Sequence, residues 1–308
     1  MQPVVSINLC CYNSEKYLRE TLDSIVNQTF KDWELIIIND GSTDSTELII
    51  KEYIRQGYPI IYHYQENCGL GYSRNKALEY SNGQYIAFID HDDLWLSEKL
   101  EKQVRILGSQ SSVDFVYTNY FKMIVYKNNR LIKALKRNQP QGFVFETFIH
   151  KYEVCLSTVM ITRKVLTSLD TLFDSRLVLM EEYDLFLRIL YKSKAFYMNE
   201  VTTIYRFHDK MTTLMAPVLV LKEYPHLIEN LAKLDLPSYI VKHMNIRWVL
   251  YNKAKYSILK GDSRQARKYI TIYKWYCLKT FLLYLVSFLP NKLCVFLYNN
   301  LLFSRGRI

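Results

Sequence analysis

Four short apolar runs alternate with helix-like segments over the first ninety residues of this 308-residue chain. The segments between them, residues 14–28, 44–55 and 71–81, carry apolar side chains at helical spacing. Alternating helices with continuously apolar strands predict a parallel sheet covered by helices on both faces. The predicted strands are Val4–Leu9, Leu35–Ile38, Ile60–Tyr64 and Tyr85–Ile89.

Polar loops follow three of these strands, at residues 10–13, 39–42 and 90–93. In open sheets of this kind, ligands bind beyond the carboxyl ends of the strands. We therefore expect the three loops to line one crevice, which would be the ligand site.

The third of these loops is acidic, because Asp90, Asp92 and Asp93 stand almost side by side. Like charges at this spacing repel unless a cation or a raised pKa relieves them. Carboxylates without nearby thiolates suit a hard divalent ion such as Mg²⁺ or Mn²⁺. Such an ion can hold a diphosphate and neutralise it as it leaves. A solvated acidic turn is the alternative interpretation.

The net charge of +10 is confined to the end of the chain. Residues 217–308 hold 15 Lys and Arg against 4 Asp and Glu, whereas residues 1–216 are nearly neutral. A basic, aromatic segment can meet a membrane surface or a nucleic acid, or form a helical subdomain with a solvated basic face. Its large aromatic residues include Trp248, Trp275, Phe281, Phe288 and Phe296.

Beyond the acidic loop the pattern is mixed until about residue 219, and helical from there on. We expect a domain over residues 1–216 and a basic, aromatic helical segment over residues 217–308. The six cysteines show no disulfide framework, so reduced thiols are expected. No signal peptide is expected. The longest apolar run, Thr280–Leu289, is about half the length that a spanning helix needs. The remaining expected elements are helices at 97–108, 143–150 and 181–192, and extended segments at 115–125, 131–136, 157–162 and 195–207.

An ordered set of motifs runs across residues 3–215. Its members are Val5–Asn8 with Tyr12 and Asn13, Tyr17-Leu18, Leu22–Ile25 with Gln28-Thr29, Glu34–Asp44, Asn67–Gly69 with Arg74 and Asn75, Gly83–Ile86 with Asp90–Asp93, Glu181–Leu185 with Arg188, and Tyr205–His208. This set resembles the family-2 glycosyltransferases of the GT-A fold. The resemblance implies an α/β fold with a mostly parallel, Rossmann-like sheet flanked by helices, to which the C-terminal helical segment is added. Two positions depart from the family pattern: Asn39-Asp40 replaces paired aspartates, and Glu181-Glu182 replaces Glu-Asp.

The resemblance also implies roles for individual residues. Asp92, with Asp90 and Asp93 beside it, would ligate Mn²⁺ or Mg²⁺. Glu182 would be the general base, with Glu181 as the alternative. The donor-binding set would be Tyr12, Asp40, Gly69, Arg74, Asp90, Arg206 and His208.

Some of these residues have simpler duties as alternatives. Asp40 could be a turn aspartate that bonds its own backbone. For Asn13, capping the following helix is the expected duty. Arg74 would pair with a phosphate or with the acidic cluster, and its simpler alternative is a surface arginine on a helix.

The expected protein is an inverting, metal-dependent glycosyltransferase of bacterial cell-surface polysaccharide biosynthesis. It would take a nucleotide-diphosphate sugar, with UDP as the expected nucleotide, and a saccharide or lipid-linked acceptor. It would be cytoplasmic, touching the inner face of the membrane through its C-terminal segment, and no nucleic acid partner is expected. The alternatives are a metal-dependent nucleotidyltransferase and a non-enzymatic nucleic-acid-binding protein that uses the basic tail.

Overall fold

The computed structural model divides the chain into two compact units. The first comprises Met1–Leu177 and Glu181–His208, and the second comprises Val178–Met180 and Asp209–Ile308. The structure describes residues 2–125, 128–135, 139–209, 211–212, 216–236, 246–271 and 278–297. The predicted domain boundary at residue 216 stays a prediction.

The first half of the larger unit is the predicted alternation of strands and helices. The four strands pair in parallel in the order β3-β2-β1-β4. The first helix begins four residues later than the sequence indicated. The elements are β1 Val5–Cys11, α1 Leu18–Val26, β2 Trp33–Asp40, α2 Thr46–Arg55, β3 Ile60–Gln65, α3 Leu70–Tyr80 and β4 Tyr85–Asp90.

Strand β2 shows why the continuous apolar runs form the centre of the sheet. Its side chains alternate between the two faces. Leu35 and Ile37 belong to the main core, while Ile36 and Ile38 pack on the other face with Ala77 of α3. All four β2 side chains are fully buried, and each such burial contributes roughly 1.5–3 kcal/mol.

The second half of the sheet is mixed, and it joins the parallel half in one sheet flanked by helices, as expected for the fold class. Strand β8 runs antiparallel to both β4 and β6, whereas β9 runs parallel to β6. The predicted strand over residues 157–162 is instead a 3-10 turn, Leu156–Thr158, followed by three strand residues. The elements are β5 Leu94–Trp95, α4 Lys99–Ser109, β6 Val113–Ile124, β7 Arg130–Lys133, α5 Phe145–His150, β8 Met160–Thr162, α6 Glu181–Leu190 and β9 Lys194–Phe207.

The regular elements described in the second unit are all helices, which confirms the predicted helical C-terminal region. Its helices are α7 Ala216–Ala232, α8 Ile246–Leu259, α9 Ser263–Ile270, α10 Leu278–Val286 and α11 Asn291–Leu297. Helix α9 begins at an N-cap, where the Asp262 carboxylate accepts a hydrogen bond from the backbone N–H of Gln265. Ile258, Ile270 and Leu283 form part of a small apolar core within the second unit. Among the described residues, no helix is both long and apolar enough to cross a bilayer.

Candidate active site

The loops after β1 and β2 are bonded directly to each other. The Asn13 side-chain oxygen accepts from the backbone N–H of Thr43 at 2.9 Å, and the Asn13 N–H donates to Ser42 Oγ at 2.9 Å. Asn13 adopts a φ of 48°. It therefore cross-links two loops, and the predicted helix-capping role is wrong, since α1 starts after Tyr17. Next to it, the Tyr12 ring is half exposed, in a position where a planar ligand could stack on it.

Asp40 at the end of β2 holds the loop that leads into α3. Its Oδ1 accepts from the Cys68 backbone N–H at 2.9 Å and from Gln65 Nε2 at 2.7 Å, and its Oδ2 accepts from the Gly69 N–H at 2.9 Å. Gly69 has a φ of +87°, which is a conformation that only glycine adopts without strain. Asp40 thus shapes this loop, and a direct contact between Asp40 and a nucleotide stays a prediction.

The acidic loop after β4 separates its three carboxylates by environment. Asp90 and Asp92 reach the surface, with side-chain exposures of 35% and 16%, whereas Asp93 is fully buried. The Asp93 carboxylate accepts from Ser157 Oγ at 2.6 Å and from the Arg206 backbone N–H at 3.0 Å. Burial, and then the charges of Asp92 and Asp90, raise the pKa of Asp93 well above its ordinary value.

Arg206 and His208, at the end of β9, bind this acidic loop from the other side. The Arg206 guanidinium donates to the backbone oxygen of Asp92 at 2.9 Å, and His208 Nε2 lies 2.8 Å from Asp92 Oδ2. Burial raises the pKa of Asp92, but the neighbouring His91 and His208 outweigh it, and that pKa lies below its ordinary value. Tyr17 supports both partners, because its ring lies 5.0 Å from the His208 ring and 5.0 Å from the guanidinium carbon.

Arg74 of α3 joins the acidic loop to the start of α6. It donates to Asp90 Oδ1 at 2.8 Å and to Glu181 Oε1 at 2.5 Å. Both Arg74 and Glu181 are buried. Of the two alternatives for Arg74, the structure shows the pairing with acidic residues, and it fixes Glu181 in an ion pair.

Glu182 is the neighbouring carboxylate on α6, and it is more exposed than Glu181. Burial is the main cause that raises its pKa to about 8, and the charges of Glu181 and Asp90 add to this, while Arg74 opposes it. A carboxylate with a pKa near the working pH can accept a proton during a reaction.

The carboxylate oxygens of Asp90 and Asp92 are of the kind that a divalent metal such as Mg²⁺ or Mn²⁺ prefers. Asp90 is bonded through Oδ1 and Asp92 through Oδ2, and both carboxylates are partly exposed at the strand end. Asp93 does not fit its predicted role as a ligand, because it is fully buried and both its oxygens accept internal hydrogen bonds. In the part of the chain that the structure describes, no three His, Cys, Asp or Glu side chains gather into a metal-binding cluster. A metal here would therefore need further ligands from the bound substrate.

Two residues that organise this site, Ser157 and Glu20, are not marked as site residues by any sequence motif. Ser157 donates to Asp93 and accepts from the Asp90 backbone N–H at 3.1 Å, but it was assigned only to a strand. Glu20, on the outer end of α1, accepts a hydrogen bond from the Arg206 guanidinium. Neither carries a local signal, because each acts on a partner more than sixty residues away.

Comparisons with known proteins identify the family and the fold. Residues 6–167 match the family model described as "Glycosyl transferase family 2". A protein of Rickettsia typhi described as "Uncharacterized glycosyltransferase RT0329" is 32% identical over 68% of this chain, and the match spans 66% of that protein's length. The Escherichia coli enzyme "UDP-Glc:alpha-D-GlcNAc-diphosphoundecaprenol beta-1,3-glucosyltransferase WfgD" is 30% identical over 61% of this chain and 70% of its own length. The crystal structure of S. aureus TarS 1-349 in complex with UDP-GlcNAc superposes with a TM-score of 0.67 at 20% identity, covering 88% of this chain and 80% of that chain.

Proposed function

The chain belongs to glycosyl transferase family 2, has the GT-A fold and is a glycosyltransferase; from this premise we propose that it transfers a sugar from a UDP-sugar, with inversion, in the synthesis of a surface polysaccharide. The family membership favours this reaction over a nucleotidyltransferase or a nucleic-acid-binding protein. The observation that carries the proposed mechanism is the division of labour between the carboxylates, since Glu181 is held by Arg74 while Glu182 has a raised pKa.

The donor lies in the crevice lined by the loops after β1, β2 and β4. Tyr12 stacks on the base, and the loop that Asp40 holds through the Cys68 and Gly69 N–H groups encloses the ribose side. The similarity to WfgD, whose name specifies UDP-glucose, supports UDP as the nucleotide. Ligand binding at the carboxyl edge of the strands is the general behaviour of such sheets.

The diphosphate end of the donor lies at the acidic loop. Asp92 and Asp90 would hold Mn²⁺ or Mg²⁺, which supplies Lewis-acid stabilisation of the departing diphosphate. Asp93 acts as a positioning residue, because through Arg206 and Ser157 it fixes the backbone that carries the other two carboxylates. His208 orients Asp92 through the 2.8 Å contact.

Glu182 accepts the proton of the acceptor hydroxyl, which then attacks the anomeric carbon of the donor sugar. Nucleophilic attack in a single displacement inverts the configuration at that carbon. Glu181 and Arg74 hold the start of α6 beside Asp90, so that the base keeps a fixed position relative to the leaving group.

The acceptor is a saccharide carried on a lipid, and the protein works as a peripheral protein on the cytoplasmic face of the membrane. The name of WfgD specifies a diphosphoundecaprenol-linked acceptor, which supports this proposal. Helices α10 and α11 and the turn between them add large apolar side chains that are 42–55% exposed, in a segment with a net charge of +11. Apolar side chains with basic neighbours are typical of surfaces that contact lipid. These side chains are Leu285, Phe288, Leu293 and Phe296.

A thermal-shift panel of nucleotide diphosphates and their sugars, with and without Mn²⁺, tests the proposal. We expect UDP-sugars to stabilise the protein by mass action, and Mn²⁺ to increase that effect. Glu182→Gln should keep the shift and lose sugar transfer, whereas Tyr12→Ala should weaken the shift. A panel in which no nucleotide stabilises the protein would contradict the proposed donor site.

A further inference from the structure

Strand β7 presents an exposed apolar and basic surface on the catalytic unit. All four residues of this strand, Arg130, Leu131, Ile132 and Lys133, are exposed, and the two aliphatic side chains retain 46% and 39% of their accessible surface. Among the described residues, neither Arg130 nor Lys133 has a carboxylate within ion-pair distance. We call these four residues the β7 surface.

The surrounding sequence strengthens the positive charge. Residues 115–145 contain no Asp or Glu and carry six basic residues. This local excess is hidden in the near-neutral balance of residues 1–216, because acidic residues elsewhere cancel it. The six basic residues are Lys122, Lys127, Arg130, Lys133, Lys136 and Arg137.

The β7 surface lies close to the candidate active site. Leu131 is in register with Met123 of β6, and Met123 is in register with Arg206 of β9. Two strand spacings, or about 10 Å between backbones, therefore separate Leu131 from Arg206. Arg206 is the residue that bonds to Asp93 and Asp92. A surface that contacted β7 would lie beside the acidic loop.

We propose that the β7 surface docks the catalytic unit onto an anionic lipid bilayer, independently of the C-terminal segment. Because side chains alternate along a strand, Arg130 and Ile132 lie on one face of β7, and Leu131 and Lys133 lie on the other. The strand therefore docks edge-on, with one basic side chain against headgroups and one aliphatic side chain in the interfacial region on each face. Charged residues on an edge strand also deter pairing with another chain, but that duty gives no reason for two exposed aliphatic side chains between them. The docking has a functional meaning only with the proposed lipid-linked acceptor, because it brings the membrane surface to the acidic loop.

Vesicle sedimentation of the full chain tests this docking surface. The vesicles contain phosphatidylcholine with or without phosphatidylglycerol, at low and at high salt. The Arg130→Glu/Lys133→Glu variant should bind the anionic vesicles at least about tenfold more weakly than the parent chain. The Leu131→Asn/Ile132→Asn variant, which keeps the charge, should also bind them more weakly.

Three controls separate the proposal from its rivals. Lys51→Glu/Arg55→Glu on α2 changes the net charge by the same amount away from β7 and should bind almost normally. Phe288→Asn/Phe296→Asn tests the C-terminal segment, and the combination with the β7 variant should lose more binding than either alone. Melting temperature and UDP-sugar thermal shift show that each variant is folded and keeps its donor site.

Three results would overturn the docking surface. One is sedimentation of both β7 variants like the parent chain, and another is an equal loss in the α2 control. The third is a β7 variant that loses binding to soluble polyphosphate but keeps binding to vesicles. Failure of the UDP-sugar thermal shift in the parent chain would instead contradict the proposed function, and would leave the vesicle result standing.

Discussion

Glu182→Gln is the substitution that tests the assigned base most directly. In the folded chain, burial together with Glu181 and Asp90 raises the pKa of Glu182 to about 8, against an opposing effect of Arg74. A base with this pKa is about one-tenth ionised at pH 7 and about nine-tenths ionised at pH 9, so kcat/KM should rise about tenfold between them. The glutamine side chain cannot accept the proton. The activity of the variant should therefore fall roughly 10²- to 10⁴-fold, and its kcat/KM should no longer rise between pH 7 and pH 9.

The assay is the release of UDP from the donor that gives the largest thermal shift, with water as acceptor. Glu181→Gln is the matched control, because it alters the adjacent carboxylate. Its profile should keep a rise but with a lower midpoint, since a repelling charge has been removed. A Glu182→Gln variant with more than half of the parent activity at pH 9, or a Glu181→Gln variant with a flat profile, would refute the assignment of Glu182.

Linkage gives the same substitution a second readout that needs no turnover. Because the folded pKa of Glu182 lies above its ordinary value of 4.5, the folded state holds a proton that the unfolded chain has released. The contribution of Glu182 to the free energy of unfolding is therefore fully present below about pH 4.5, and it is lost as the pH rises toward 8. Glu182→Gln removes this loss, so at pH 8 the variant should unfold at a higher urea concentration than the parent chain. The expected gain in the free energy of unfolding is on the order of 2 kcal/mol, after allowance for the partial exposure of the side chain.

Four further substitutions follow from the site and its surroundings. Asp92→Ala should abolish the Mn²⁺-dependent part of the UDP-sugar thermal shift and leave the rest, as measured by titration with and without EDTA. Arg74→Met should cost about 3–5 kcal/mol in urea unfolding, because it leaves two carboxylates uncompensated, and it should move the pH rise set by Glu182 to higher pH. Gly69→Ala forces a φ of +87° on a residue with a Cβ, and should lower stability by roughly 1 kcal/mol and weaken UDP binding in calorimetry. Burial lowers the pKa of Lys99 well below its ordinary value of 10.5, so the unfolded chain binds this proton more tightly than the folded chain, and the stability of the parent chain rises with pH up to about 10.5. Lys99→Met should lose that rise in urea titrations at several pH values.

The parallel half of the sheet could be predicted because its information is local. Strands such as β2 are continuously apolar and are separated by helices with one apolar face, which leaves few arrangements. The antiparallel half could not be predicted in this way. Strand β8 has three residues, and nothing in so short a run shows its direction or its neighbours.

The site shows the same limit. The sequence indicated that three carboxylates follow β4, but their separation depends on distant partners. Asp93 is buried because Ser157 and the Arg206 N–H compensate its carboxylate from 64 and 113 residues away. Likewise, the choice between Glu181 and Glu182 rests on the Arg74 ion pair, which joins residues 107 positions apart.

These long-range bonds explain how a crevice made of loops can keep a fixed geometry before its ligand binds. Asn13 ties the first loop to the second, and Asp40 ties the second to the loop before α3. Arg74 then ties α3 to both the acidic loop and α6. The bonds of Asp40 and Arg74 are buried or partly buried, whereas those of Asn13 are exposed. Because they join the loops to elements of the same fold, much of the entropy of ordering the loops is lost during folding. Substitutions at these ties should therefore reduce kcat and donor affinity together, although none of the three side chains needs to touch the transferred sugar.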